Sequence, residues 1–472
     1  MSRLPPWVLV LAVWAAIYLP ALGSFEIKSE EGRRILPAMA MLESGNYVVP
    51  QIGSDTYFSK PPLVNWLIAA SFKLFGKSEW AARLPSVVAI LTVAVAFVTI
   101  GRAGLGRGGA TIAALVWLTT AGLIEKGRLI EIEAVYVSLS ALAIICWLSW
   151  WLSDKSPWLT WVIPWIWLGL GWLAKGPVHL IFFYAVVMAV LWKMKRLKAL
   201  FHPAHFVGII VMLGIFAAWA IPFLQMSNQS RALTKWSAQF TGRVTPRFFS
   251  VGSALFTLLR AIGQLLPWLV LLPLVRFNRF PEAKDRQLAN GLAWGAAVPL
   301  VLVSLMPVSA ARYSLPAATP FCWLMALAFS RDAFMSLPVS RSGEQPMWRR
   351  IGLPIGLILA LGAAVFFLIM SQMPNKPDKV RSVAAKVNSR VPSNEQLYAV
   401  NSRYQPFLFY VEARVKPVES LDEIPEIAKY FFVRPNLKEE VARSERWAPR
   451  HPVLLSPITD YRDETILLFK IE

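Results

Sequence analysis

Ala134-Val-Tyr-Val-Ser-Leu-Ser-Ala-Leu-Ala-Ile-Ile-Cys-Trp-Leu-Ser-Trp-Trp-Leu152 runs without one charged side chain. An α-helix needs about 20 predominantly apolar residues to cross a bilayer core, so this run is long enough to span. Similar runs recur outward from it, near 6–23, 83–101, 109–124, 157–174, 177–193, 204–223, 251–275, 289–307, 314–330 and 351–371. The expected fold is an all-α polytopic membrane bundle of about 11–13 transmembrane helices, each apolar run supplying one.

The whole composition points the same way. Apolar residues make up 56% of the 472 positions and charged residues 16%, against about 25% charged in soluble domains. The mean hydropathy is +0.50, and a soluble fold is excluded. The 21 Trp set against 4 His and 2 Cys suit interfacial anchoring better than a metal cluster or a disulfide framework. Cys146 and Cys322 lie in apolar runs and are read as buried thiols. The net charge of +20 sits in short clusters between apolar runs, which marks topology and argues against a nucleic-acid partner. Arg3 followed by an apolar run to Gly23 has the look of a signal peptide, but no small-residue cleavage pattern follows, so an uncleaved first span is expected.

With a cytoplasmic N-terminus, alternation puts four basic clusters inside. They are Arg102/Arg107, Lys193-Met-Lys-Arg-Leu-Lys198, Arg276/Arg279/Lys284/Arg286 and Arg331/Arg341/Arg349/Arg350. There they also meet anionic lipid headgroups. The long segment 24–82, the loop 125–133, the turn at Lys175, the loop 224–250, the turn at Arg312 and the tail then lie outside. Residues 1–372 form the expected transmembrane domain. In the tail, 373–472, charges rise and strand-like runs appear at Gln396–Val400, Phe407–Val411, Tyr430–Val433 and Ile466–Ile471, with helical patterns near 377–389 and 436–446. A small α/β extracytoplasmic domain is expected there.

The first outer loop is far longer than a connector requires, and long ordered loops are usually functional. Within it Ile35, Leu36, Met39 and Leu42 share one helical face, and Pro62 opens a second stretch that aligns Leu63, Trp66, Leu67 and Ala70. Two amphipathic helices on the membrane surface fit that pattern. Around them stand Glu30-Glu31-Gly32-Arg33-Arg34, Ser44-Gly-Asn-Tyr-Val-Val-Pro50 and Tyr57-Phe-Ser-Lys60-Pro-Pro62.

This order of acidic pair, Arg, amphipathic helix, Ser-Gly-Asn-aromatic-x-x-Pro and Tyr-Phe-x-Lys-Pro-Pro resembles the aminoarabinose transferase and protein O-mannosyltransferase-like branch of the GT-C glycosyltransferases. The likeness continues through Arg128-Leu-Ile-Glu-Ile-Glu133-Ala, Lys175-Gly-Pro, Gln264-Leu-Leu-Pro267-Trp268 and Arg312-Tyr313-x-Leu-Pro, and covers about residues 1–330. It implies an inverting transfer of a sugar from a polyprenyl-phosphate lipid to an acceptor outside the membrane: lipid A, another cell-envelope glycolipid or glycan, or, as the alternative, a secreted protein. It also implies a bacterial inner-membrane location with the active site facing the periplasm.

Carried over residue by residue, the resemblance puts Glu30 where the family has its catalytic Asp, with Glu31 beside it to share the task. Glu133, the second catalytic candidate, likewise replaces an Asp in the second outer loop, so both acidic positions are one methylene longer than the family pattern. Lys60 matches the lysine that meets the donor phosphate, Tyr57 and Tyr313 match tyrosines able to hydrogen-bond it, and Arg33 orients the carboxylate or contacts the sugar. Arg243 and Arg247 lie in an outer loop by topology, and forked guanidinium groups suit phosphate; a plain surface role competes for both. Lys175 and Arg312 cap spans on the outer side against the charge bias, which marks them as orienting or sugar-binding residues. Arg260 and Gln264 are expected to face the bundle interior. No metal is assigned and no cofactor is required. A divalent cation stays open, because other GT-C branches use one and Glu30, Glu131 and Glu133 are oxygen donors of the kind it takes. A transporter or flippase, the rival of another class, would place ionisable residues near the midplane and repeat its halves; here the charges gather in the outer loops and the halves do not match.

Overall fold

The structure, a computed structural model, describes residues 5–244, 249–335, 348–372, 379–402, 404–460 and 462–471. Five helices among them are long and apolar enough to cross a membrane, and seven if two bent pairs each count as one span. The chain divides into two compact units. One gathers Met1–Leu22, Ser59–Val64 and Arg83–Ser371; the other gathers Gly23–Phe58, Asn65–Ala82 and Gln372–Glu472.

The first unit is an all-α membrane bundle built round the helix Ile132–Leu152, whose apolar window is wholly buried. Pro157–Ala174 packs on that helix, Pro203–Met226 on Pro157–Ala174, His179–Lys193 on Ala283–Ser304, and Arg102–Thr119 on Ala318–Ser330. Helices at the rim present apolar side chains outward, as with Ile210, Ile358 and Leu361, each at least 65% exposed. Such faces are stable in lipid and costly in water. With little hydrophobic drive between helices in a bilayer, close approach depends on small residues. Gly291 and Gly295 provide it: a Cβ on either would lie 2.8 or 2.7 Å from the Cα of Val190 or Val186 on the facing helix.

Two expected spans are broken. The run 109–124 is split at Thr120 between Arg102–Thr119 and Ala121–Gly127, with a bend of 62°, and 251–275 is split after Val251–Gly263 with a bend of 92°. Unpaired backbone groups at membrane depth are costly, so breaks survive only where protein satisfies them. These two breaks satisfy each other. Ala121 N donates to Leu266 O at 2.8 Å, Gly122 N donates to Gln264 O at 2.9 Å, and Trp268 Nε1 donates to Thr119 Oγ1 at 2.8 Å. The bend also corrects one expectation: Arg260 is exposed, with its guanidinium 5.6 Å from the Phe256 ring centroid, while Gln264 is half-buried at the break.

In the second unit Gly32–Ser44 is the first amphipathic helix, closed by Gly45 at φ +72°, and Leu63–Phe75 is the second. A short hairpin joins β1 (Gln51–Ile52) to β2 (Asp55–Thr56). On the second helix the packed face is Val64, Asn65, Ile68, Ala69 and Phe72, and the expected face of Leu63, Trp66, Leu67 and Ala70 is half-buried or exposed. Apolar residues exist on both sides of this helix, so periodicity alone did not settle which side packs.

The tail forms a five-stranded sheet of β3 (Gln396–Val400), β4 (Arg414–Val418), β5 (Tyr430–Val433), β6 (Val453–Thr459) and β7 (Thr465–Lys470), in the order β4-β3-β5-β7-β6. β3 is parallel to β4 and β5, while β7 is antiparallel to β5 and β6. Phe407–Val411, expected as a strand, lies in and just after a 3₁₀ helix, Pro406–Tyr410. Pro406 fixes φ at its start and has no N–H to give to a strand ladder, while Phe407, Leu408 and Phe409 are all buried. Leu36 and Ile52 join Val383, Val387, Phe407 and Phe432 in one core, so the first amphipathic helix and the sheet domain share apolar packing. Glu26 ties them further. Its buried carboxylate accepts from Lys379 N, Val380 N and Arg381 N at 3.2, 2.7 and 3.2 Å, at the start of the helix Arg381–Asn388, where a negative charge is favoured.

The glycine contact is open to test by thermal unfolding of the detergent-solubilised protein. Gly291→Ala and Gly295→Ala should each cost about 1–3 kcal/mol through overpacking. Gly214→Ala, whose added methyl meets nothing within 4 Å, should cost none; equal behaviour of the three variants would refute close packing at this pair.

Candidate active site

Glu133 stands in the first turn of Ile132–Leu152 with Glu131 before it as the N-cap residue. A carboxylate suits that position because the helix N-terminus carries partial positive charge. The Glu133 side chain is only 8% exposed, and it is held from two other helix ends: Lys175 Nζ at 3.0 Å and Arg312 Nε at 3.2 Å from Oε1. Lys175 follows Pro157–Ala174, and Gly176 takes φ +128°, a conformation open to glycine and strained for other residues. His179 fastens this turn, its ring nitrogens lying 3.0 Å from Gly176 O and 2.8 Å from Leu168 O. Arg312 and Tyr313 lie in the 3₁₀ turn Ala311–Ala317 ahead of Ala318–Ser330.

Lys175 is also enclosed by aromatic faces. Its Nζ lies 4.2 Å from the centroid of Tyr313 and 4.9 Å from that of Tyr136. Cation–π contact of this kind holds an ammonium where full hydration is absent. Beside it a cavity of about 150 Å³ is lined by Ser59, Lys60, Pro61, Trp172, Lys175, Gly176, Pro177, Val178, Phe216 and Trp236. Trp172 stacks on Phe216 at 4.7 Å, so one wall is aromatic while two ammonium groups stand in the lining. Two ammonium groups, Lys60 and Lys175, in one partly aromatic lining suit an anion.

A second cluster, of two acids and one base, lies near the head of the same helix. Lys126 Nζ is 2.9 Å from Glu125 and 3.2 Å from Glu131. Burial pushes the Glu131 carboxyl above its usual range, and Lys126 opposes that rise. Among the described residues no group of three or more His, Cys, Asp and Glu is arranged to hold a metal ion.

Within the other unit, Glu30 occupies the single turn Ser29–Glu31 that leads into Gly32–Ser44. Its carboxylate is 34% exposed and lies 3.4 Å from both Arg33 and Arg34. Arg34, one residue past the expected orienting arginine, is the buried one; it donates to Tyr57 Oη at 2.8 Å, and its carbonyl accepts from Asn65 Nδ2 at 2.8 Å. Glu31 is buried behind this pair. Arg33 is exposed and lies 5.3 Å from the ring centroid of Tyr404, which Arg462 approaches to 4.9 Å. The residues missed in the sequence are thus Arg34, Tyr136, Tyr404 and the aromatic wall. Arg34 carried a usable signal, since it falls four residues after Glu30 and shares its helical face. Arg247 lies outside the described residues, and so does the side chain of Arg243.

A family model described as dolichyl-phosphate-mannose-protein mannosyltransferase matches residues 59–221, the stretch that contains Lys60, Glu133 and Lys175. The undecaprenyl phosphate-alpha-4-amino-4-deoxy-L-arabinose arabinosyl transferase of Pseudomonas savastanoi pv. phaseolicola is 24% identical over 330 residues, 69% of this chain and 61% of that one. Its namesake in Serratia proteamaculans is 26% identical over 349 residues, 70% of this chain and 60% of that one. The chain thus spans about three-fifths of the length of these curated relatives. In three dimensions it matches the crystal structure of ArnT from Cupriavidus metallidurans bound to undecaprenyl phosphate with a TM-score of 0.72 at 17% identity, covering 98% of this chain and 96% of that one. The chain has the GT-C glycosyltransferase fold and is related to the aminoarabinose transferases and the protein-mannosyltransferase-like families.

Proposed function

We propose that the protein is an inverting glycosyltransferase of the bacterial inner membrane that moves a sugar from a polyprenyl-phosphate donor to an acceptor on the periplasmic side. One observation carries this reading: a small cavity whose lining holds two lysines and an aromatic wall, with a doubly paired carboxylate fixing one of the lysines. A lipid-linked phosphate is an anion on an apolar stem, and such a cavity offers a complement to both parts.

The charge change during transfer favours the same assignment. The donor is a phosphodiester with one negative charge. When the anomeric C–O bond breaks, its electron pair leaves with the phosphate, which becomes a monoester with greater charge. Fixed cations therefore bind the departing group more strongly than the donor, and that difference is what accelerates a reaction. Lys60 and Lys175 are assigned to the phosphate, with Tyr57 and Tyr313 as hydrogen-bond donors to it. Arg312 and Glu133 are assigned to positioning, since Glu133 spends its charge on holding Lys175 and Arg312. Arg243 and Arg247 remain candidates for a second phosphate contact.

Glu30 is proposed as the general base: it takes the acceptor proton as the acceptor atom bonds to the anomeric carbon from the face opposite the leaving phosphate. Its partial exposure leaves it accessible, and Arg33, Arg34 and Glu31 set its orientation. The relatives' names favour a pentose-like amino sugar as the transferred group, and the resemblance in the sequence favours a lipid A phosphate or another envelope glycolipid as acceptor. The family match over 59–221 favours the second reading, a secreted protein as acceptor.

Membrane vesicles supplied with a polyprenyl-phosphate sugar provide the first test. Glu30→Gln and Lys60→Ala should each lower turnover by at least about a hundredfold, the usual contribution of a positioned acid–base group, while inserting normally. Wild-type rates in both variants would reject the site. A second test separates positioning from chemistry. Glu133→Gln leaves Lys175 and Arg312 without their shared carboxylate and should cost about 3–5 kcal/mol of stability, as breaking a buried pair does. Glu133→Gln combined with Lys175→Met should regain part of that stability but none of the activity. Comparing glycolipid and glycan mass profiles of a deletion strain with its complement identifies the acceptor, and an unchanged profile would count against glycosyl transfer altogether.

A further inference from the structure

At the other end of the helix His179–Lys193 from the lysine-lined cavity, about 22 Å away by helical rise, the chain forms a second basic pocket. Its volume is about 470 Å³ and its lining is Trp192, Lys193, Lys195, Leu197 and Lys198, three cations and no acid. The cluster lies at the C-terminal end of His179–Lys193 and in the linker that leads to Pro203–Met226. Cations are favoured at the C-terminal end of the first of these helices.

The linker is held in one shape. Met194 N donates to Val190 O at 3.0 Å and Arg196 N to Leu191 O at 2.8 Å, while Lys195 sits at φ +57°. A lysine in the left-handed region is uncommon and persists where its surroundings determine it. His205 then locks the far side of the linker, with Nδ1 2.7 Å from Leu200 O and Nε2 2.9 Å from Tyr184 Oη. Since a carbonyl only accepts, Nδ1 carries the proton and Tyr184 donates to Nε2. The lysines are thus carried on backbone already ordered.

Apolar groups continue from this pocket onto a lipid-facing surface. Trp192 is 58% exposed and Phe201 76%, and Phe206 and Ile210, one helical turn apart on Pro203–Met226, are 50% and 66% exposed. Basic side chains at the membrane boundary with an apolar track beside them match an acidic headgroup on an acyl chain. We propose that this pocket binds the phosphate of an anionic membrane phospholipid, in the leaflet opposite the one that faces the lysine-lined cavity. The site is independent of the transfer reaction and stands if that assignment fails.

Native mass spectrometry of the full-length protein tests it. Delipidated protein in a neutral detergent is offered equal amounts of phosphatidylglycerol and phosphatidylcholine. The wild type should retain phosphatidylglycerol preferentially. The triple variant Lys193→Gln, Lys195→Asn, Lys198→Gln should weaken that retention on the order of a hundredfold, as expected for three interfacial charges, with Asn chosen because it tolerates positive φ. Replacing Lys193 and Lys198 by Arg should preserve it. If the triple variant does not elute as a monodisperse species, Lys198→Gln alone is read, with roughly a fivefold loss expected. Equal retention of both lipids, or undiminished retention in the variants that remove charge, would overturn the proposal. So would displacement of the lipid by inorganic phosphate at matching concentration, which would mark a site for free anions.

Discussion

A carboxylate buried at the end of a membrane bundle is costly to hold, and the neighbours of Glu133 are arranged around that cost. Glu133 loses hydration that several kilocalories per mole would not replace without ideal partners. Lys175 and Arg312 supply them from two other helix ends. The three ends are thereby drawn to one point, and the turn Lys175-Gly176-Pro177 must adopt a backbone that only Gly176 takes without strain. Removing Glu133 takes from Lys175 and Arg312 the carboxylate they share. The lysine-lined cavity beside them inherits its shape from this ion-pair cluster.

The rest of the bundle separates its charges between two ends. Glu133, Lys175 and Arg312 meet at one. At the other, Lys284 Nζ reaches Leu152 O and Arg331 pairs with Asp285 at 2.5 Å, at the opposite ends of helices that share the first cluster. Between the two, backbone polar groups have to be satisfied without water. Most are satisfied within helices, and the two broken spans exchange hydrogen bonds at their breaks. A break at one span alone would leave its amides and carbonyls unpaired; the pair of breaks is one structural feature shared by two segments.

Much of the fold was legible because lipid imposes crude and strong rules. Length and hydropathy marked the helices, and charge bias separated the same two ends that the ion pairs now separate. What escaped depended on contacts between distant segments. The break within 251–275 is set by its partner at Thr119–Gly122, which no local window contains. The 3₁₀ helix at Pro406 resembled a strand because Phe407–Val411 is apolar throughout, and only Pro406 hinted otherwise. Gly291-Leu-Ala-Trp-Gly295 is a small-residue spacing that could have predicted the contact with Val186 and Val190. Motif positions singled out Glu30, Lys60, Glu133, Lys175 and Arg312 as candidates, but did not show how each is buried and paired. Burial and pairing are what a motif does not encode. Arg34 was overshadowed by its exposed neighbour Arg33 for the same reason.

The two acidic positions illustrate the difference in burial and pairing. Glu133 is nearly sealed and bonded to two cations at 3.0 and 3.2 Å, so its charge is committed to structure. Glu30 is one-third exposed and its two arginine contacts are both 3.4 Å, long enough to be exchanged for an incoming hydrogen-bond donor. Two carboxylates in contrasting surroundings take different roles, as environment and not residue type decides which of them gives or takes a proton. The additional methylene that each carries relative to the family pattern then has two separate consequences. At Glu133 it sets how far apart the helix ends bearing Lys175 and Arg312 can stand while sharing one oxygen. At Glu30 it lengthens the reach of a group whose backbone is fixed by the turn Ser29–Glu31, and under the proposed reading the acceptor atom is met further from the main chain.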